Sequence, residues 1–435
     1  MSLTQSLIHL IRSKPVTQDD LDAAALFTLD AVANAVGGCS TEPGHKLLDW
    51  AGESGADAGR RALLLGGLTH ILEVDDLHRA SVVHPGCVVV PAAFALSKGN
   101  AQDFLTAVLH GFEATCRVGM AVGKAHYKVW HSTATCGPFG SAMAGAHLLG
   151  LSDEQAVHAL GNAGTQSAGL WQFMATGAMS KHLHAGRGAE AGVVAAELAK
   201  LGFTGPPEIL EGAQGLFAGA CPDPDPDAVL RNPDHRWQLH ESSIKPWPSC
   251  RHTHPAIDTA LELSAHIKNV EEIERVNVQV YEAAMDVCNR PTPVSVYEAK
   301  FSLYQTVAAA LADGRVDFDS FEADSRERLA ALRAKITPQA CEPFVSAYPQ
   351  DWGSAVEVVL KDGSTYKAER QHCKGDPEAA LSKDEMKAKA RMLMDLGGYE
   401  NPDQLMEAIL GMAEGGAVPD VFVGLKAVEG DTSAG

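Results

Sequence analysis

A mainly α fold, a large helical domain with an inserted smaller α+β lid domain, is what this sequence predicts, and three observations carry the prediction. Through residues 1–242, apolar residues recur at helical spacing and small residues crowd together. Near residue 243 the texture changes to short stretches that alternate apolar and polar residues, as half-buried strands do. After Pro377 the helical spacing resumes. The expected organisation is an all-helical domain built from 1–242 and 376–435, interrupted by an α+β lid domain at 243–375. A chain of 435 residues suits two or three domains of ~100–200 residues each.

The opening MSLTQSLIHLIRSK reads as the first turns of a surface helix. From Asp19 to Val36, Ala, Leu and Val recur at helical spacing, and Gly37-Gly38 marks an end. Asn100 to Val122 repeats the pattern, with Asn100 placed to cap the free N–H groups of the first turn. Ser152, followed by Asp153 and Glu154, starts another helix and sets carboxylates against its positive end. Ala189 to Lys200 is a further helix, closed by Gly202. The small-residue strings GSAMAGAH, GNAGTQSAG and GRGAEAGVVAAELA let helices approach closely, and no heptad persists, so a compact bundle is expected rather than a coiled coil. In the middle, Arg275 to Tyr281 alternates like a strand, and Ala355 to Lys367 reads as two strands joined by Asp362-Gly363. Helices at Tyr304–Asp313 and Ser325–Lys335 lie between them. LSKDEMKAKARMLMDLG and NPDQLMEAILGMAE return to helix, and the polar tail from Glu429 is expected to fray.

Composition removes several classes of function. With 46% hydrophobic and 21% charged residues, the chain can bury a large core. A net charge of −20 repels nucleic acid. The nine cysteines are scattered and form no CxxC, so neither a disulfide framework nor a zinc ribbon is expected. Free thiols in a reducing, cytoplasmic setting are the expectation. No apolar run approaches the ~20 residues of a membrane helix, and the N-terminus lacks the long apolar stretch and cleavage site of a signal peptide.

No P-loop, HExxH or GxSxG occurs, so the chemistry is sought where polar residues crowd against apolar or glycine-rich sequence. Residues 69–86, THILEVDDLHRASVVHPG, bring together Glu73, Asp75, Asp76, His78 and His84. Two imidazoles beside several carboxylates could hold a metal or set a base, and the acids could equally cap a helix. In HSTATCGPFG, His131 precedes small hydroxyl residues at a helix start, either an anion site or a plain cap. In MSKHLHAGRG, Lys181, His184 and Arg187 fall on one helical face inside apolar surroundings, where a cationic cluster suits an anionic ligand better than solvent. In IKPWPSCRHTHPAID, Lys245, Arg251, His252 and His254 gather at the expected domain junction, as a binding site or a basic linker. Cations that hold carboxylates and imidazoles that move protons suit a small polycarboxylate.

Four strings, in this order, resemble the MmgE/PrpD family: VDDLHRASVVHPGCVVVPAAFAL, HSTATCGPFGSAMAGAHLLGLS, MSKHLHAGRGAEAG and IKPWPSCRHTHPAID. The likeness runs over nearly the whole chain. It implies a large helical domain with a smaller α+β lid, a homodimer, and no metal or organic cofactor. Carried over by position, it implies an active site drawn from Glu73 to Asp76, His84, His131, Lys181 and Lys245. With the cationic segments read above, the expected catalytic residues are His84, His131, Lys181 and Lys245, and the expected substrate-binding residues are Glu73, Asp76, His184, Arg251, Gln305 and Tyr304. This chain departs from the family's decarboxylase branch at Leu77, often Thr there, and at Gln305, where Tyr is common and here Tyr304 is adjacent.

The resemblance further implies 2-methylcitrate dehydration, cis-aconitate decarboxylation or iminodisuccinate epimerisation. All three begin when a base removes a proton next to a carboxylate or imine, while cations stabilise the developing charge. The expectation is therefore a cofactor-independent lyase acting on a small di- or tricarboxylate. The alternatives are an epimerase with His84 and His131 as two bases, and a non-catalytic carboxylate-binding protein, since Leu77 cannot hydrogen-bond and Gln305 cannot act as an acid. His84 or His131 is the expected base, with Asp75 and Asp76 orienting His78 or His84.

Overall fold

The computed structural model describes residues 1–52 and 57–427, so the expected frayed tail from Glu429 lies outside the described residues. The described residues form two compact units, the first made from Met1–Ile244 and the described chain after Leu381, the second from Lys245–Leu381. It is mainly α, with a small sheet. Among the described residues, no single helix is long and apolar enough to cross a membrane.

In the first unit, α1 (Leu3–Ser13) opens on a capping box, in which Ser2 accepts from the Gln5 N–H and Gln5 accepts from the Ser2 N–H. α2 (Gln18–Gly38) is capped the same way by Thr17 and Asp20, and it ends at Gly37-Gly38 as expected. These glycines also allow close approach: a Cβ on Gly38 would fall 2.4 Å from the carbonyl oxygen of Leu68. α3 (Glu42–Ala51) and α4 (Ala58–Thr69) follow, then the two-residue strand β1 (Leu77–His78). Next come α5 (Gly86–Leu96) and α6 (Ala101–Ala121), the latter capped by Asn100. α7 (Lys124–Tyr127), α8 (Ser132–Leu148) and α9 (Asp153–Gly164) continue, with Ser152 and Gln155 boxing the start of α9. α10 (Ser180–Lys200) begins at Ser180 rather than Ala189, which puts Lys181 and His184 in its first turns. α11 (Leu216–Ala220) and β2 (Ser242–Ser243) complete this stretch.

The small residues do the packing expected of them. A Cβ on Gly186 of α10 would lie 2.5 Å from the Leu63 carbonyl of α4, and one on Gly192 would lie 2.3 Å from the Ser141 Cβ of α8. Such contacts press α4, α8 and α10 together and gather the end of α4 with the starts of α8 and α10. β1 and β2 pair antiparallel, Leu77 opposite Ser243 and His78 opposite Ser242.

The second unit begins with α12 (His254–Ser264) and holds a four-stranded sheet. Its strands are β3 (Ile273–Val280), β4 (Ile336–Ala340), β5 (Ser354–Leu360) and β6 (Thr365–Arg370), in the order β4-β3-β5-β6. β5 and β6 form the expected hairpin, and Gly363 turns it at a φ of +88°. β4 was not expected from the sequence and contains Pro338. It lies at the sheet edge, paired only with β3, where a missing N–H is tolerated. α13 (Glu282–Cys288), α14 (Val296–Lys300) and α15 (Leu303–Asp313) lie between β3 and β4. The single helix expected at Ser325–Lys335 is instead α16 (Ala323–Arg328) and α17 (Ala330–Arg333), because the Arg333 side chain takes the carbonyl of Arg326. α18 (Phe344–Ala347) precedes β5. The unit extends to Leu381 rather than residue 375, since Asp376 bonds Arg251 and the Cys373 N–H.

α19 (Lys383–Leu396) and α20 (Pro402–Gly411) belong to the first unit. Lys389 of α19 donates to Asp30 of α2 and, at 2.7 Å, to the carbonyl of Val74. The returning chain thus pins the loop that follows α4.

Candidate active site

That loop has a strained backbone. Glu73 and Val82 adopt positive φ, +63° and +50°. A β-branched residue rarely does so, and each such conformation costs ~1–3 kcal/mol. Surrounding contacts hold it: Lys389 on Val74, and the His78 N–H on the Val83 carbonyl at 2.9 Å. Asp76 accepts the Gly86 N–H at 3.0 and 3.1 Å, and a Cβ on Gly86 would fall 2.5 Å from Asp76 Oδ1. The glycine of His84-Pro85-Gly86 is therefore required by Asp76, which fixes the start of α5. His84, just before it, donates its N–H to Thr133 Oγ1 at 3.1 Å.

His70, at the end of α4, and His84 face one carboxylate. Asp75 Oδ2 lies 2.6 Å from His70 Nδ1 and 3.4 Å from His84 Nδ1. Burial favours the neutral acid, but His70 and His84 beside it hold Asp75 well below the usual carboxylate range. Such an ionised carboxylate orients an imidazole and stabilises the imidazolium formed when the ring takes a proton. The same three groups converge as a two-imidazole, one-carboxylate set of the kind that can hold a metal. Two donors at ~2.0–2.2 Å from one ion and roughly at right angles lie near 3 Å apart. At 2.6 Å, His70 and Asp75 are in hydrogen-bond geometry instead.

His131 caps the start of α8, and its N–H donates to the Gly169 carbonyl at 3.0 Å. Its ring stacks on His70 (centroids 5.6 Å apart) and touches Trp171 (4.7 Å) and His184 (5.6 Å). Burial, then the charges of His70, Lys181, His84 and His184, keep His131 well below the ordinary imidazole range. Burial, then His70 and Lys181, push His184 down to about 4. Both rings are therefore neutral near pH 7. Lys181 reaches Glu73, its Nζ 2.5 and 2.6 Å from the two carboxylate oxygens, with both side chains buried.

The structure thus gathers Glu73, His84, His131, Lys181 and His184 in the first unit, and sets Asp76 behind them as an anchor for α5. His78 sits apart, bonded to Ser81 and Gln238. In the second unit, Lys245 is buried, and Arg251 pairs with Asp376 and lies over the Trp352 ring. Gln305 is held structurally: its amide donates to the Ser320 carbonyl at 2.7 Å and accepts from Arg333. Tyr304 donates to Asn289 at 2.9 Å. Two site residues were missed. His70 stands in the string THILEVDD, but nothing in its spacing marks it. Trp171 lies in a short turn (Trp171–Ala175) that has no periodic signature.

The N-terminal domain of the MmgE/PrpD family matches residues 5–228, and its C-terminal domain matches residues 247–410. The chain belongs to the MmgE/PrpD family. Among curated relatives, it is 26% identical to the cis-aconitate decarboxylase of Mus musculus over 431 residues, 90% of this chain and 86% of that protein. The Homo sapiens enzyme of the same name is 27% identical over 76% of this chain and 71% of its own length. That of Aspergillus terreus is 27% identical over 67% of this chain and 66% of its own length.

Proposed function

We propose that this protein is a lyase that removes a proton from the carbon next to a carboxylate of a small di- or tricarboxylic acid, without a metal or organic cofactor. The observation that carries the reading is the set of His70, His84 and His131 around the ionised Asp75. The names of the relatives support the same class. His84 or His131 takes the substrate proton on a ring nitrogen. If it is His84, Asp75 stabilises the resulting imidazolium. Lys181 balances the negative charge that develops on the substrate carboxylate, and Lys245 is the second cation proposed. The intermediate then expels hydroxide; in a decarboxylation the C–C bond to the carboxylate breaks in place of the C–H bond, and an imidazolium protonates the carbon that receives the electron pair. The protein is further proposed to act as a homodimer.

A second reading is epimerisation, in which the proton returns to the other face. It is favoured by one observation: His84 and His131 both pack against His70 and so form a two-base pair. Proton NMR in deuterated buffer, with citrate, 2-methylcitrate, the aconitate isomers and iminodisuccinate, separates these readings. A lyase consumes one of these acids with loss of carbon dioxide or water. An epimerase exchanges the proton and inverts the centre. A binding protein does neither.

A further inference from the structure

Several ring nitrogens of this site have no hydrogen-bond partner among the described residues. The indole Nε1 of Trp171 and the Nδ1 atoms of His131 and His184 are buried, with no hydrogen bond among the described residues. They sit on adjoining rings. Trp171 and His184 each contact His131, at 4.7 and 5.6 Å between centroids, and Phe173 contacts both Trp171 and His184, at 5.4 and 5.6 Å. Folded proteins leave few buried polar atoms unpaired. Three on neighbouring rings mark a place where a ligand supplies the missing partners.

The chemistry narrows the ligand. An indole N–H only donates, so it needs an acceptor oxygen. His184, kept neutral by burial and by the charges of His70 and Lys181, carries a single N–H. The tautomer with that hydrogen on Nδ1 offers a second donor. Gly169 keeps this nitrogen accessible, since a Cβ there would come 3.2 Å from His184 Nδ1. Lys181 pairs with Glu73, so these donors are additional to its ammonium.

We propose that the Trp171 Nε1–H and the His184 Nδ1–H form a carboxylate-binding subsite beside His131, distinct from Lys181. Its two donors meet the two oxygens of a substrate carboxylate and hold the adjoining carbon against the His131 ring. This rests on the reading of the site as one for carboxylic acids.

Calorimetric titration with tricarballylate and succinate tests it. Trp171→Phe keeps an aromatic ring and removes the N–H, and it should weaken the better-bound probe about tenfold or more. His184→Gln, whose amide N–H can replace the imidazole donor, should weaken it less than His184→Leu. If the wild-type protein binds the probe while Trp171→Phe and His184→Leu bind it equally well, the subsite is refuted and the carboxylic-acid reading stands. If the wild-type protein binds neither probe, that reading and the subsite fall together. Should Trp171→Phe fail to fold, the two His184 variants decide.

Discussion

Asp75 Oδ2 lies 2.6 Å from His70 Nδ1, with both side chains shielded from solvent. A carboxylate in that position accepts the Nδ1–H and so fixes which ring nitrogen stays basic. Asp75→Asn removes the charge and can donate as well as accept. It should lower kcat by ~10²-fold or more, with little change in KM and an intact circular dichroism spectrum. Steady-state kinetics would check this, and wild-type kcat in Asp75→Asn would make the dyad structural only.

The Glu73–Lys181 pair predicts opposite effects from its two halves. Lys181→Ala leaves a buried carboxylate without its cation, which costs ~3–5 kcal/mol. It should therefore lower Tm as well as cut kcat/KM at least tenfold. Glu73→Gln frees the ammonium for the substrate and should lower KM. Lys245→Ala should also reduce kcat/KM at least tenfold. Thermal melts and kinetics on the three variants separate these outcomes, and near wild-type kcat/KM in both lysine variants would place carboxylate binding elsewhere.

Stability should fall as acid is added. Burial pushes His78 down to about 4 and His252 down to about 3, the latter also through Arg251. In the unfolded chain both rings bind a proton below ~6.5. Between these values the unfolded state holds more protons, so stability is complete above ~6.5 and is lost as pH falls toward the folded values. His78 alone accounts for roughly 3 kcal/mol. Denaturant midpoints from pH 7 to pH 4 should drop steeply. His252→Phe, which keeps an aromatic ring against Trp352, should flatten the curve. A flat wild-type profile would contradict the burial of neutral imidazoles.

Exhaustive chelation should leave activity unchanged, because His70 and Asp75 stand at hydrogen-bond distance rather than at the spacing of two ligands on one ion. Loss of activity on chelation, with recovery on adding zinc or manganese, would overturn this.

The local code was legible where caps and periodicity speak. Asn100, Ser152 and the Asp362-Gly363 turn act as their side chains and backbone freedom dictate. Gly37-Gly38 ends α2 as expected, but the close approach to Leu68 that these glycines also allow was not legible, because helix ending and close helix approach use the same residue. The site was legible in residue types crowded within one string, such as Glu73 to His84. It was not legible in His70 or Trp171, whose roles arise from long-range packing of α4, α8 and the Trp171 turn. Nor did spacing reveal that Lys181 is matched to Glu73, or that Gln305 is held by Ser320 and Arg333.

The central claim is that an imidazole, His84 or His131, removes a proton next to a substrate carboxylate. Solvent deuterium uptake into the substrate tests it most directly, because exchange reports proton abstraction even when later steps fail. Once the substrate is found, wild-type protein should exchange that proton, and either His84→Gln or His131→Gln should slow the exchange by ~10²–10⁴-fold with little change in binding. Exchange at the wild-type rate in both variants would contradict the claim and turn attention to the Asp75–His70 pair.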